Sequence, residues 1–336
     1  MKKLFACLAV TILAISTITA CSSSSSDSSS PSSKQENVTL KLAHVLPESE
    51  TQAQGAKKFA EDVEKATNGK IKIQLFPGGT LGKDTDLLNS LKVNTVDIWL
   101  GGAGVLSGAS ETAKIFTMPF MFDNQQHFEK VYNGEVGKEI SGKIEKESGY
   151  KVISYWTRGA RWLTTNKEVK TVGDLKGLKI RVPESPVFVK SFSRMGASPT
   201  PMEFGQVFTS LQQKVIDGQE NPLSLIFNSR FNEVNKYLIK TEHVREPIAV
   251  AMSSNKFNSL SPELQKALLE AINGQSKQYV ADEVKKGDEG YLKQLQESGM
   301  KLIEPDITSF QSKLDGFVDM DFPNLKEIYG KVREAK

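Results

Sequence analysis

From residue 38 onward the chain alternates short apolar runs with amphipathic ones, and that alternation restricts it to an α/β fold. Strand-like runs at 38–45, 70–76 and 95–100 are separated by helical stretches at about 51–67 and 84–93. In the first strand Val38, Leu40, Leu42 and His44 share one side, the period-two signature of a half-buried strand. In the first helix Ala56, Phe59, Ala60 and Val63 fall on one face, and Gly69 follows as a stop. Pro77-Gly78-Gly79 ends the second strand, and Gly101-Gly102-Ala103-Gly104 reads as a loop. Such repetition implies βαβ units and mainly parallel sheets. The pattern recurs with strands at 151–156, 162–166, 178–183, 215–221 and 247–254, and helices at 185–195, 205–214 and 223–237. A polar-faced helical stretch then runs from 262 to about 298. Two α/β lobes with more than one crossing between them are expected.

Before this region, Lys2 and Lys3 precede the apolar run LFACLAVTILAISTITA, which ends at Cys21. A basic start, a short apolar core and a small residue at the junction make a secretory signal. Its 17 residues would just span a bilayer, but no basic flank follows. Ile18-Thr19-Ala20-Cys21 matches a lipobox, in which the cysteine is lipidated and becomes the new N-terminus. Residues 1–20 are therefore expected to be removed. Residues 21–36 are expected to tether the protein to a membrane, since ten of the twelve residues after Cys21 are serine and bury nothing. Cys7 leaves with the signal, so no disulfide is expected.

Several functions are excluded by what is missing. Without Lys2 and Lys3 the chain has 41 basic and 40 acidic residues, which is no electrostatic footprint for nucleic acid. Gly82-Lys83 resembles the end of a phosphate loop, but Pro77 stands where its first glycine belongs and Asp84 where Ser or Thr should follow. Gly101-Gly102-Ala103-Gly104 lacks the third glycine of a dinucleotide fingerprint. Three histidines (His44, His127, His243), without HExxH or a cysteine pair, give no zinc motif. No GxSxG elbow occurs. No cofactor, no metal and no catalysis are expected.

The stretch DLKGLKIRVPESP, from Asp174, continues through MGASPTPMEFGQVFTSLQQ and closes on VIDGQENP at Pro222. Arg181 and Asn221 each fall on one of its strand-like pieces. A rigid guanidinium fork with an added amide suits a small organic acid. The segment resembles the most characteristic part of the solute-binding proteins of TRAP transporters, the DctP family, and the resemblance extends more thinly from about Thr39 to about Tyr329. It implies a two-lobe, periplasmic-binding-protein-like fold. Crossings are expected near Arg158, near Pro247 and in the long C-terminal helix, with 37–157 plus about 247–286 in one lobe and 158–246 plus about 287–336 in the other. It also implies an extracytoplasmic, monomeric receptor that hands its ligand to a membrane permease driven by an ion gradient. A sensor subunit for a membrane kinase is the alternative from another class.

The resemblance implies roles for particular residues. Arg181 clamps the ligand carboxylate, Asn221 bonds the same end, and Arg161, in RGARWLTTN, reaches the acid as well. Phe204 packs on the ligand body, or else is a core residue. His44 and Gly101 follow strands where ligands sit in open α/β sheets. The sialic-acid-binding branch of the family carries an acidic residue in place of Gly101 and an asparagine in place of Glu184, which argues against sialic acid. A carboxylate at Glu184 inside the pocket would accept from hydroxyls and repel a second ligand carboxylate. That favours a hexuronate or aldonate over a C4-dicarboxylate. Arg158 and Lys83 pull the other way, since either would serve a second acid. Trp99, Trp156 and Trp162 add weak support for a sugar.

Overall fold

The computed structural model describes residues 37–335, so the signal and tether readings, Cys21 included, lie outside the described residues. Eleven strands are described: β1 (Val38–Ala43), β2 (Ile71–Phe76), β3 (Ile98–Gly102), β4 (Tyr150–Trp156), β5 (Arg161–Thr165), β6 (Lys179–Val182), β7 (Ser198–Pro201), β8 (Gly218–Pro222), β9 (Tyr237–Val244), β10 (Ile248–Ser253) and β11 (Lys301–Ile303). They form two sheets, ordered β2-β1-β3-β10-β4 and β11-β9-β5-β8-β6-β7.

One strand in each sheet runs against its neighbours, β10 in the first and β5 in the second. Both have the same cause. The chain leaves β4 at Trp156, crosses through 157–160 and enters the second sheet at Arg161; it leaves β9 at Val244 and returns through 245–247 to start β10 at Ile248. A strand entering from the crossing must run away from it. All the other strands beside the crossing therefore end there, and two sets of carboxyl ends face each other between the lobes.

The lobes also repeat a local design. After the helices Asp84–Lys92 and Val207–Gln212 the chain turns through Asn94 (φ 56°) and Lys214 (φ 60°). The aspartate that follows then accepts the backbone N–H of a neighbouring strand, Asp97 from Lys41 and Asp217 from Lys179, both at 2.8 Å. The core follows the same layering. Helix Thr51–Ala66 buries Ala56, Phe59 and Val63 against Leu40, Leu42 and Ile98, while Val207, Leu211, Ile216 and Leu238 fill the second lobe.

Four elements differ from the sequence reading. The long helical stretch breaks at Gly274 into Pro262–Asn273 and Gln275–Glu297; a Cβ at Gly274 would lie 2.7 Å from the Glu270 carbonyl oxygen. The second of these helices touches both lobes, packing on helices Thr51–Ala66 and Leu223–Asn228. At its closest approach a Cβ on Gly55 would meet Val280 at 2.3 Å, so only glycine fits. The helix expected over 223–237 stops at Asn228, because Arg230 adopts φ 60°, and the missed strand β9 follows. Gly101 and Gly102 belong to β3 rather than a loop. Finally, helix Lys326–Glu334 packs on helix Glu135–Ser148 beside the first sheet, with Lys331 Nζ 2.8 Å from Glu139 Oε1. It thereby departs from the expected grouping of 287–336 with the second lobe.

Residues 37–335 supply every described element, and they fall within one compact unit. A protein starting at residue 34 is therefore expected to fold and bind as the full chain does. Calorimetric titration of both forms checks this, and a weaker shortened form would place the serine segment in the fold.

Candidate functional site

Ligands of open α/β sheets sit beyond the carboxyl ends of the strands, and here two such sets of ends meet. Between them lies a cavity of about 670 Å³ of empty space, counting its open mouth. Arg158, Arg161, Arg181, Glu184, Phe204, Asn221 and Gly101 all line it, brought from β3, from the first crossing and from the second lobe. His44 does not. The wall there is made by Val45 and Leu46, and His44 is a buried imidazole whose pKa burial lowers to about 4. The three tryptophans are buried and off the cavity wall; Trp156 donates to the Ile272 carbonyl and Trp162 belongs to the second lobe's core. Trp99 explains Gly101, because a Cβ there would strike its ring at 2.3 Å.

Two of the three buried arginines are already paired. Arg161 grips Glu220: its Nε bonds Oε2, and Nη2 donates to Oε1 at 2.6 Å and to the Glu220 carbonyl at 2.7 Å. Its Nη1 reaches Glu246 Oε2 at 3.3 Å, and Arg158 closes the ladder on the same Glu246 carboxylate. Burial alone would raise the pKa of Glu220, but the charge and hydrogen bonds of Arg161, with those of His243, take it down to about 2. His243 Nε2 lies 3.1 Å from Glu220 Oε2. Glu220 thus stays ionised, and the two glutamates are the ion-pair partners of two guanidinium groups.

Arg181 differs. It is 4% exposed and has no carboxylate partner among the described residues. Its Nε and Nη2 donate to the Met202 carbonyl at 2.9 and 2.6 Å, which fixes the plane and leaves the Nη1–Nη2 edge without a hydrogen bond. Phe204 lies under the guanidinium, 6.0 Å from ring centre to Cζ. Burial lowers the Arg181 pKa to about 10, helped by the charge of Arg161 and opposed by those of Glu220, Glu203 and Asp84. Asn221 is held beside it on β8, its amide donating to Gln219 Oε1 at 2.6 Å.

Beyond Glu184, sequence reasoning missed the acids of this cavity. Asp84 lines it and accepts from Trp99 Nε1 at 2.8 Å, and burial raises its pKa to about 7. Glu246 sits in the second crossing, and Glu203 stands near the mouth, 3.5 Å from Lys83. The one available signal was Asp84 itself, the residue that spoiled the phosphate-loop reading of Gly82-Lys83. Among the described residues no cluster of potential metal ligands occurs, and no helix is long and apolar enough to cross a membrane.

The arrangement has known counterparts. A 2,3-diketo-L-gulonate-binding periplasmic protein of Escherichia coli is 34% identical over 308 residues, covering 89% of this chain and 92% of that one. A TRAP periplasmic solute-binding protein of Roseobacter denitrificans, solved with bound L-galactonate, superposes with a TM-score of 0.83 at 35% identity, covering 88% of this chain and 99% of that one. Its counterpart from Pseudomonas putida, with bound D-glucuronate, gives 0.84 at 26% identity, with coverages of 88% and 97%. Residues 42–322 match the model of the DctP family. The chain belongs to this family, the bacterial extracellular solute-binding proteins of family 7, which are receptors of TRAP transporters.

Proposed function

We propose that this receptor captures a sugar acid, an aldonate or hexuronate, between its lobes and presents it to a TRAP-type membrane permease. The observation that carries the reading is the charge balance of the cavity. Among the described residues three buried arginines meet two buried glutamates in ion pairs, and Arg181, in none of those pairs, is left for one ligand carboxylate. Around that single charge stand groups suited to hydroxyls: Asn221, Asp84, Glu203 and Glu184. The L-galactonate and D-glucuronate bound by the relatives are monocarboxylates rich in hydroxyls, which supports the same reading. Arg181 is the anchor, Asn221 orients the same carboxylate, and Phe204 packs on the ligand body. Arg161 and Arg158 act through the fixed ladder rather than as free charges. Closure of the lobes excludes water and strengthens the Arg181 pair. The site reads as one for binding rather than turnover. The Ile18–Cys21 pattern, outside the described residues, supports a lipid anchor at Cys21 on the outer side of a membrane.

Titration calorimetry with L-galactonate and D-glucuronate tests the proposal. Single-site binding of either supports it; no heat with any aldonate or hexuronate overturns it.

A further inference from the structure

The mouth of the cavity carries a feature that neither the anchor nor the ladder uses. Glu203 follows β7 in the second lobe, yet its Oε1 accepts from Thr85 Oγ1 at 3.0 Å and lies 3.5 Å from Lys83 Nζ, both in the first lobe. Glu184, a second acid, lines the same cavity, and its charge acts on Glu203. The lobes make other direct polar contacts: Ser224 Oγ and Asn228 Nδ2 donate to Glu50 at 2.7 and 2.8 Å, and Thr117 and Ser185 hydroxyls lie 3.3 Å apart. Glu50 and Thr117 stand off the cavity wall, whereas Glu203 and Glu184 are part of it.

We propose that Glu203 is a specificity-determining latch, closing the second lobe onto Thr85 and Lys83 while its carboxyl, with that of Glu184, forms the wall that faces the ligand's far end. The inference rests on the sugar-acid reading and adds which residue rejects the wrong acids. Two carboxyl groups on one wall offer acceptors to a ligand hydroxyl and repel a ligand carboxylate. Burial, with the charge of Glu184, raises the pKa of Glu203, while Thr85 and Lys83 oppose the rise. Asp84 and Arg181 also act on it electrostatically. A ligand hydroxyl donates to such a wall. A second ligand carboxylate would face like charge. Because ligand contact and lobe contact use one side chain, the latch seats best when the far end carries hydroxyls.

The test measures affinity and dissociation rate for L-galactonate, D-glucuronate and succinate with the wild-type protein and with E203A, E203Q and E184Q. E203A is expected to bind the sugar acid about tenfold more weakly, the scale of one lost charge-assisted hydrogen bond, chiefly through faster dissociation. Its succinate affinity should hold or rise, so discrimination collapses. E203Q keeps an acceptor for Thr85 and should stay within about threefold of wild type for the sugar acid. Equal losses for sugar acid and succinate in E203A would reduce Glu203 to a structural contact and overturn the proposal, as would unchanged discrimination. Wild-type protein that binds none of the sugar acids would instead overturn the function proposed above.

Discussion

Replacing Arg181 by lysine is expected to abolish most ligand affinity while leaving the fold intact. Lysine keeps the charge but loses the planar fork. Here the fork has two jobs: Nε and Nη2 hold the Met202 carbonyl, and the remaining edge meets the ligand. An ammonium can satisfy one of these geometries, not both. Truncating one partner of a buried, hydrogen-bonded charge pair costs about 2–5 kcal/mol, which is roughly thirtyfold to several thousandfold in Kd. The unliganded protein should change little, because the ion pairs of the cavity are made by Arg158 and Arg161 and lysine keeps the charge at 181. The same substitution at Arg161 should behave differently. It would break the grip on Glu220, whose buried carboxylate would lose its bidentate partner, and so lower the melting temperature without any ligand. Titration calorimetry and unliganded melting curves separate the two. An Arg181→Lys protein within threefold of wild-type affinity would remove Arg181 from the anchor role.

Arg181 and Asn221 were legible because sequence proximity coincided with spatial proximity. Both end up near the crossing on β6 and β8, which are neighbours in the sheet. The acids were illegible for the opposite reason. Asp84, Glu203 and Glu246 come from three separate junctions, and nothing in their local sequence distinguishes them from the other 37 acidic residues. Only the meeting of the lobes puts them on one wall. The role of Arg161 was half legible: its place on the cavity follows from the motif, but its commitment to Glu220 and Glu246 depends on two residues distant in the chain. Among the elements, β9 was lost because KYLIKTEHV continues an apparently helical run, and the break rests on Arg230 in a left-handed conformation. β7 was lost because two of its four residues are proline, tolerable only on the edge strand it is.

The ligand class gives the second large effect. In a thermal-shift screen L-galactonate or D-glucuronate is expected to raise the melting temperature well above any shift from succinate or malate. At a ligand concentration near one hundred times Kd the native state gains about 2.7 kcal/mol, or roughly 4 °C for a fold of this size. The selectivity follows from charge. Arg181 takes one carboxylate, and the paired arginines cannot take another without surrendering Glu220 or Glu246. A second carboxylate would therefore be desolvated against Asp84, Glu203 and Glu184, where hydroxyls find acceptors. Lys83 offers the diacid little, since it is half exposed and already beside Glu203. Glu184→Gln should narrow the gap by removing one like charge from the mouth. It should do so modestly, because Glu184 is exposed and water screens it. If succinate or malate gave the largest shift and the sugar acids none, the unpaired charge of Arg181 would still mark a receptor for acids, but the wall of carboxylates would have to open or protonate to admit a diacid.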